Sequence, residues 1–114
     1  MSREIDADVA DMVLGMNVER FSDGEIAVAP SKENPLGIVL HYSTDIAAAW
    51  IVVGKMRADG FNFWLKDWFV DSEWQGFECS FRMADGDGPW WNVSAHSAPQ
   101  CVCEAALKAL KEVE

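Results

Sequence analysis

Two short runs bring an imidazole and hydroxyls together, His41-Tyr42-Ser43-Thr44 and His96-Ser97. Each stands where a strand-like segment hands over to a helix-like one. The free backbone N–H groups and the dipole of a helix start favour a phosphate or carboxylate at such a place. If the strands ending at His41 and Ala95 are neighbours, the two sites merge, with Arg82 or Lys66 as the positive partner by strand order. The competing reading is that Ser43 or Thr44 and Ser97 only cap their helices while the histidines sit at a rim. Tryptophans form a second constellation. Trp64 and Trp68 lie four apart, and Trp90 and Trp91 are consecutive, so in an extended chain one of that pair faces away from the other. An exposed indole stacks on a base or anchors a protein partner, whereas a buried one is core. Trp91 or Trp68 is the expected contact, with Trp64 and Trp90 as further partner-contact candidates.

The remaining polar patterns carry less. Asp85-Gly86-Asp87-Gly88 begins like a calcium loop, but the ligand spacing stops after two carboxylates, and a turn explains it better. Asp67, Asp71 and Glu73 suit a solvated strand end. No serine lies in a nucleophile elbow, no glycine-rich phosphate loop occurs, and the two histidines lack metal-ligand spacing. No catalytic residue, metal ligand or cofactor is assigned, and the chain is expected not to be an enzyme. Of three cysteines, Cys101 and Cys103 would project about 200° apart on a helix, which argues against a shared disulfide or metal.

The elements that must hold these residues follow from periodicity. Ile5, Val9, Met12, Val13 and Met16 recur at helical spacing after a Ser2 cap, with Glu4, Asp6 and Asp8 in the first turns and Gly15 as the stop. Residues 18–21 and 25–29 flank Ser22-Asp23-Gly24 and read as a short hairpin. Residues 30–35, with two prolines, form a loop, and residues 37–41 read as a short strand. A second helix over 44–57 begins at Ser43 or Thr44, carries Asp45 in its first turn and Lys55 and Arg57 in its last. It is apolar all round, which demands cover on more than one side, from sheet and helix or from a second copy. Alternation then gives strands over 61–65, 74–83 and 90–94, joined at Asp71-Ser72-Glu73 and at 85–89. Ser97 with Gln100 makes a capping box for a last helix whose apolar stripe is Cys101, Ala105, Leu107, Leu110 and Val113. The order predicts an α+β fold, a three-layer α-β-α sandwich with a mostly antiparallel sheet and three helices, as one domain over 1–114.

Length and charge bound the function. The 114 residues, half of them hydrophobic and including six tryptophans and six phenylalanines, suffice for one core without metal or disulfide support. With 19 acidic against 9 basic residues the net charge is -10, which repels phosphate backbones and argues against direct nucleic-acid binding. No stretch approaches ~18 apolar residues and the first residues lack a basic leader before an apolar run, so no membrane association and a cytoplasmic location are expected.

The run from Tyr42-Ser43-Thr44-Asp45 to Trp50, the segment Met12-Val13-Leu14-Gly15-Met16 and the terminal Ser97-Ala98-Pro99-Gln100-Cys101 helix together resemble the small phage proteins grouped as the phage ABA sandwich domain. The resemblance implies an α-β-α sandwich in a phage or prophage product and brings no catalytic residues. The function expected is that of a non-enzymatic accessory binding protein that counters a host defence system. It would do so by sequestering a nucleotide ligand, at His41, Tyr42, Ser43, Thr44, Arg82, Trp91, His96 and Ser97, or by inhibiting a host protein. The alternative is a small assembly protein that forms a homodimer through helix 44–57.

Overall fold

A computed structural model describes residues 4–22, 26–28, 37–84 and 90–113. The Ser2 cap, the Asp23-Gly24 turn, the loop at 30–35 and the acidic loop at 85–89 lie outside these residues. The chain opens with α1 (Glu4–Asp8), which widens into a π-helical turn over Val9–Val13 and stops at Gly15, whose φ of +69° suits a residue without Cβ. β1 (Val18–Arg20) and β2 (Ile26–Val28) pair antiparallel as the expected hairpin. Arg20 ties it back to α1 through Asp8 at 3.0 Å and Glu4 at 3.6 Å.

Residues 37–41 are not a strand of either sheet. Their burial still alternates, with Val39 inside and Ile38 and Leu40 exposed, which is the pattern that suggested a strand. The carbonyl of Gly37 accepts from the Val28 amide at 3.1 Å, and residues 41–45 then close a tight turn in which the His41 carbonyl accepts from Thr44 and Asp45.

That turn moves the start of α2 (Ile46–Ala58) two residues beyond the expected point. Asp45 is the cap, its side chain accepting from the Ala47 amide at 3.0 Å, so neither Ser43 nor Thr44 performs that role. Lys55 and Arg57 occupy the last turn as charge complementarity to the dipole requires. Asp6 carries an unexpected part. Instead of loading an exposed helix end, its carboxylate is 2% exposed and accepts from the Ser43 amide at 2.8 Å, joining α1 to the lead-in of α2. Loss of that acceptor would strand a buried amide at a cost of about 1–3 kcal/mol.

β3 (Phe61–Val70), β4 (Glu73–Met83) and β5 (Trp91–Ala95) form an antiparallel sheet in the order β3-β4-β5. The β3–β4 hairpin closes on two residues, Asp71 and Ser72, with φ of 51° and 69°, the positive values that match the twist of a hairpin. One sheet face carries Phe61, Phe63, Leu65, Phe77, Cys79, Phe81, Trp91, Val93 and Ala95, and α2 and α3 (Ala98–Val113) pack on it. The result is an α+β sandwich of three helices and antiparallel sheets, as expected.

The division of labour between the long helices reverses the expectation. α3, read as amphipathic with one stripe, buries Cys101, Val102, Cys103, Ala105, Ala106, Leu107 and Ala109, because it touches α2, β4, β5 and the first helical segment together. Small side chains let these neighbours approach. α2, apolar all round, buries Ala48, Ala49, Val52, Val53 and Met56 but leaves Ile46, Trp50 and Ile51 nearly half exposed. The three cysteines are all buried and free. Cys101 Sγ lies 3.1 Å and 3.3 Å from the Val93 and Phe77 carbonyls, and a hydrogen bond between Cys79 and Cys101 pushes the Cys79 thiol up and holds the Cys101 thiol down.

Candidate functional site on the outer face of the sheet

Strand alternation sends every second residue of this sheet away from α2 and α3. The pairing aligns Trp64, Ser80 and Asn92 in one row across the three strands, with Lys66, Glu78 and Ser94 in the next row. Trp90 stands just before β5, and its indole centroid lies 6.4 Å from that of Trp64 with the rings tilted by 48°. Both indoles are more than two-fifths exposed. Together with Glu78, Ser80 and Asn92 they line a cleft of about 300 Å³.

The walls are aromatic and the floor is polar. Ser80 is 1% exposed and donates its hydroxyl to Asn92 Oδ1, which fixes the amide with its NH2 group turned the other way. Lys66 Nζ sits 4.9 Å from the Trp64 ring and 3.8 Å from Glu78 Oε1, and the Arg82 guanidinium lies 5.6 Å from the Trp90 ring. Cations on these rings brace the indoles upright and put positive charge at the rim of an acidic protein. Such a site can stack a flat aromatic group, hydrogen-bond its edge and meet an anionic substituent with Lys66 or Arg82.

A larger groove, about 460 Å³, runs between α1 and α3 and includes Asp8, Glu104, Lys108, Lys111 and Glu112. Its acidic and basic groups recur one turn apart on α3 with no aromatic wall, the pattern of a solvated helix seam.

The structure scatters the helix-start site. Tyr42 and Ser43 are buried, Ser43 giving its amide to Asp6, while His41 and Thr44 are exposed in the turn. With residues 37–41 outside the sheet, the strand beside Ala95 is β4, through Phe77, so no strand adjacency joins the two ends. Ser97 caps α3, accepting from the Gln100 amide at 3.4 Å. His96 Nδ1 donates to the Gln75 carbonyl at 2.9 Å, and its ring lies 6.5 Å from that of half-buried Trp68. Trp91 is corrected outright: it faces the core against Phe61, 6.2 Å away, and it is Trp90 that turns outward. Arg82 lies on the outer face, away from both helix starts.

Trp64, Trp90 and Arg82 therefore come together, while Trp68 and the helix-start residues stay apart from them. Glu78, Ser80 and Asn92 were missed. The period-2 alternation of the strand over 74–83 puts Glu78 and Ser80 on the face opposite Phe77, Cys79 and Phe81, and that alternation, with Trp64 and Trp90 as the aromatic neighbours, was the signal that could have found them. Among the described residues no cluster of His, Cys, Asp or Glu could hold a metal ion, and no helix is long and apolar enough to cross a membrane.

A family profile described as the phage ABA sandwich domain matches residues 7–107. The fold is similar to the 2.0 Å crystal structure of a phage protein from Bacillus cereus ATCC 14579, with a TM-score of 0.68 at 21% identity, covering 96% of this chain and 91% of that one. No curated protein matches the chain.

Proposed function

The chain belongs to the phage ABA sandwich domain family, and from that premise we propose that it is a non-enzymatic binding protein whose ligand is a nucleotide seated in the outer-face cleft. The observation that carries the reading is the Trp64–Trp90 pair, 6.4 Å apart over a floor of Glu78, Ser80 and Asn92, with Lys66 and Arg82 at its rim. A base stacks on an indole, its edge meets the floor, and its phosphate meets the cations. A volume of about 300 Å³ suits one base and sugar better than a folded partner. Net charge of -10 slows the approach of an anion, but contacts at the rim act at short range, where salt and the distant field matter least. In a phage product such binding would withdraw a host signalling nucleotide stoichiometrically, without turnover.

Calorimetry against linear and cyclic nucleotides tests this. Measurable binding is expected, and Trp64→Ala and Trp90→Ala should each weaken it by about 1–3 kcal/mol, the usual worth of a base stacked on an aromatic side chain. Absence of heat with every nucleotide rejects the reading. The exposed apolar face of α2 favours a second reading, an assembly protein that dimerises there.

A further inference from the structure

Resting on the nucleotide reading of the cleft, we propose that its floor selects guanine over other bases. The Ser80 hydroxyl sets the orientation of the floor. Because it donates to Asn92 Oδ1, that oxygen is turned towards Ser80 and the N–H donors of the amide lie at its other end, on the wall of the cleft. Glu78 is two residues from Ser80 on β4, on the same face, and lies diagonal to Asn92 across the sheet. Its carboxylate oxygens are acceptors, and Lys66 Nζ lies 3.8 Å from Oε1.

The floor therefore presents donors from Asn92 at one end and acceptors from Glu78 at the other. Guanine carries the complementary edge, with O6 as acceptor followed by N1–H and the exocyclic amino group as adjacent donors. A carboxylate takes both donors in one bidentate contact, while the amide meets O6. Adenine offers N1 as an acceptor beside its one amino group, which sets a lone pair against the carboxylate. Hypoxanthine keeps O6 and N1–H but lacks the second donor, so it forms half of the contact. Cytosine and uracil are too short to stack on an indole wall and reach both ends of the floor at once.

Titration of the full chain with GMP, IMP, AMP and CMP, followed by tryptophan fluorescence and calorimetry, decides it. GMP is expected to bind about 10- to 100-fold more tightly than AMP, the span of one good bidentate base contact, with IMP between them. Glu78→Gln, which keeps the size of the side chain, should abolish the preference for GMP over AMP while the protein remains folded by circular dichroism. Equal affinity for GMP and AMP, or a GMP preference unchanged in Glu78→Gln, overturns the selectivity. Equal affinities that both fall in Trp64→Ala leave the seat in place and reject guanine alone. No binding of any of the four rejects seat and selectivity together.

Discussion

Burial decides what single residues do in this protein. Cys103 is fully enclosed in α3, and removal from water, with the nearby charges of Asp6 and Glu104, pushes its thiol from 9.0 up to about 12. In the unfolded chain the same thiol ionises near its ordinary value. Its contribution to stability is therefore full below about pH 9 and is lost as pH rises towards 12. Denaturant titrations between pH 8 and 11 should show stability falling with pH. Cys103→Ala, although less stable overall, should fall less steeply, and equal slopes would contradict the assignment. Asp6 teaches the same lesson in another way. Its side chain was legible only as one of three acids in a first turn, because the amide it serves, at Ser43, is 37 residues away in sequence. Contacts of that range leave no periodic trace.

At the level of the element, local patterns were read well and irregularities were not. The period-2 alternation in β4 and the consecutive tryptophans fixed which residues face together, but not which face the helices would cover. Trp91 and Trp90 were thus separated correctly, but Trp91, the expected contact, is the one the helices cover, while Trp90 stays exposed as a contact candidate. The register of β3 and β4 also slips between Trp68 and Phe69, an irregularity that alternation alone does not disclose. Gly76 lies at that slip with a φ of +147°, and a Cβ built there would meet the Ala95 carbonyl oxygen at 2.3 Å and His96 Cα at 2.8 Å. The close approach lets the end of β5 turn into α3 beside β4. Gly76→Ala should cost at least about 2 kcal/mol by thermal or chemical unfolding, combining backbone strain with overpacking. A neutral effect would mean that the β5–α3 corner can move. Gly76 sits in an alternating strand, where its role was invisible.

For the whole molecule, composition predicted one core and an acidic surface, and the order of the elements predicted the sandwich, which the family resemblance also implied. The distribution of exposed apolar area lay beyond composition, since it depends on which helix is enclosed. α3 took the interior and left Ile46, Trp50 and Ile51 of α2 uncovered. If that face joins two copies, light scattering at micromolar concentration should give twice the mass of the 12.7 kDa chain, and Ile51→Glu should restore the single mass. A single mass for the parent protein would reject the assembly reading and leave the cleft reading untouched.

The two-residue closure of β3 on β4 has a kinetic corollary. Ten paired positions that lie close along the chain can zip on the microsecond scale of hairpins, long before helices distant in sequence find their places. Trp64, Glu78 and Ser80 all belong to that hairpin, so most of the ligand seat takes shape among neighbours at the outset of folding. β5 then contributes Asn92 and the approach to Trp90, and recognition awaits only the arrival of that last strand.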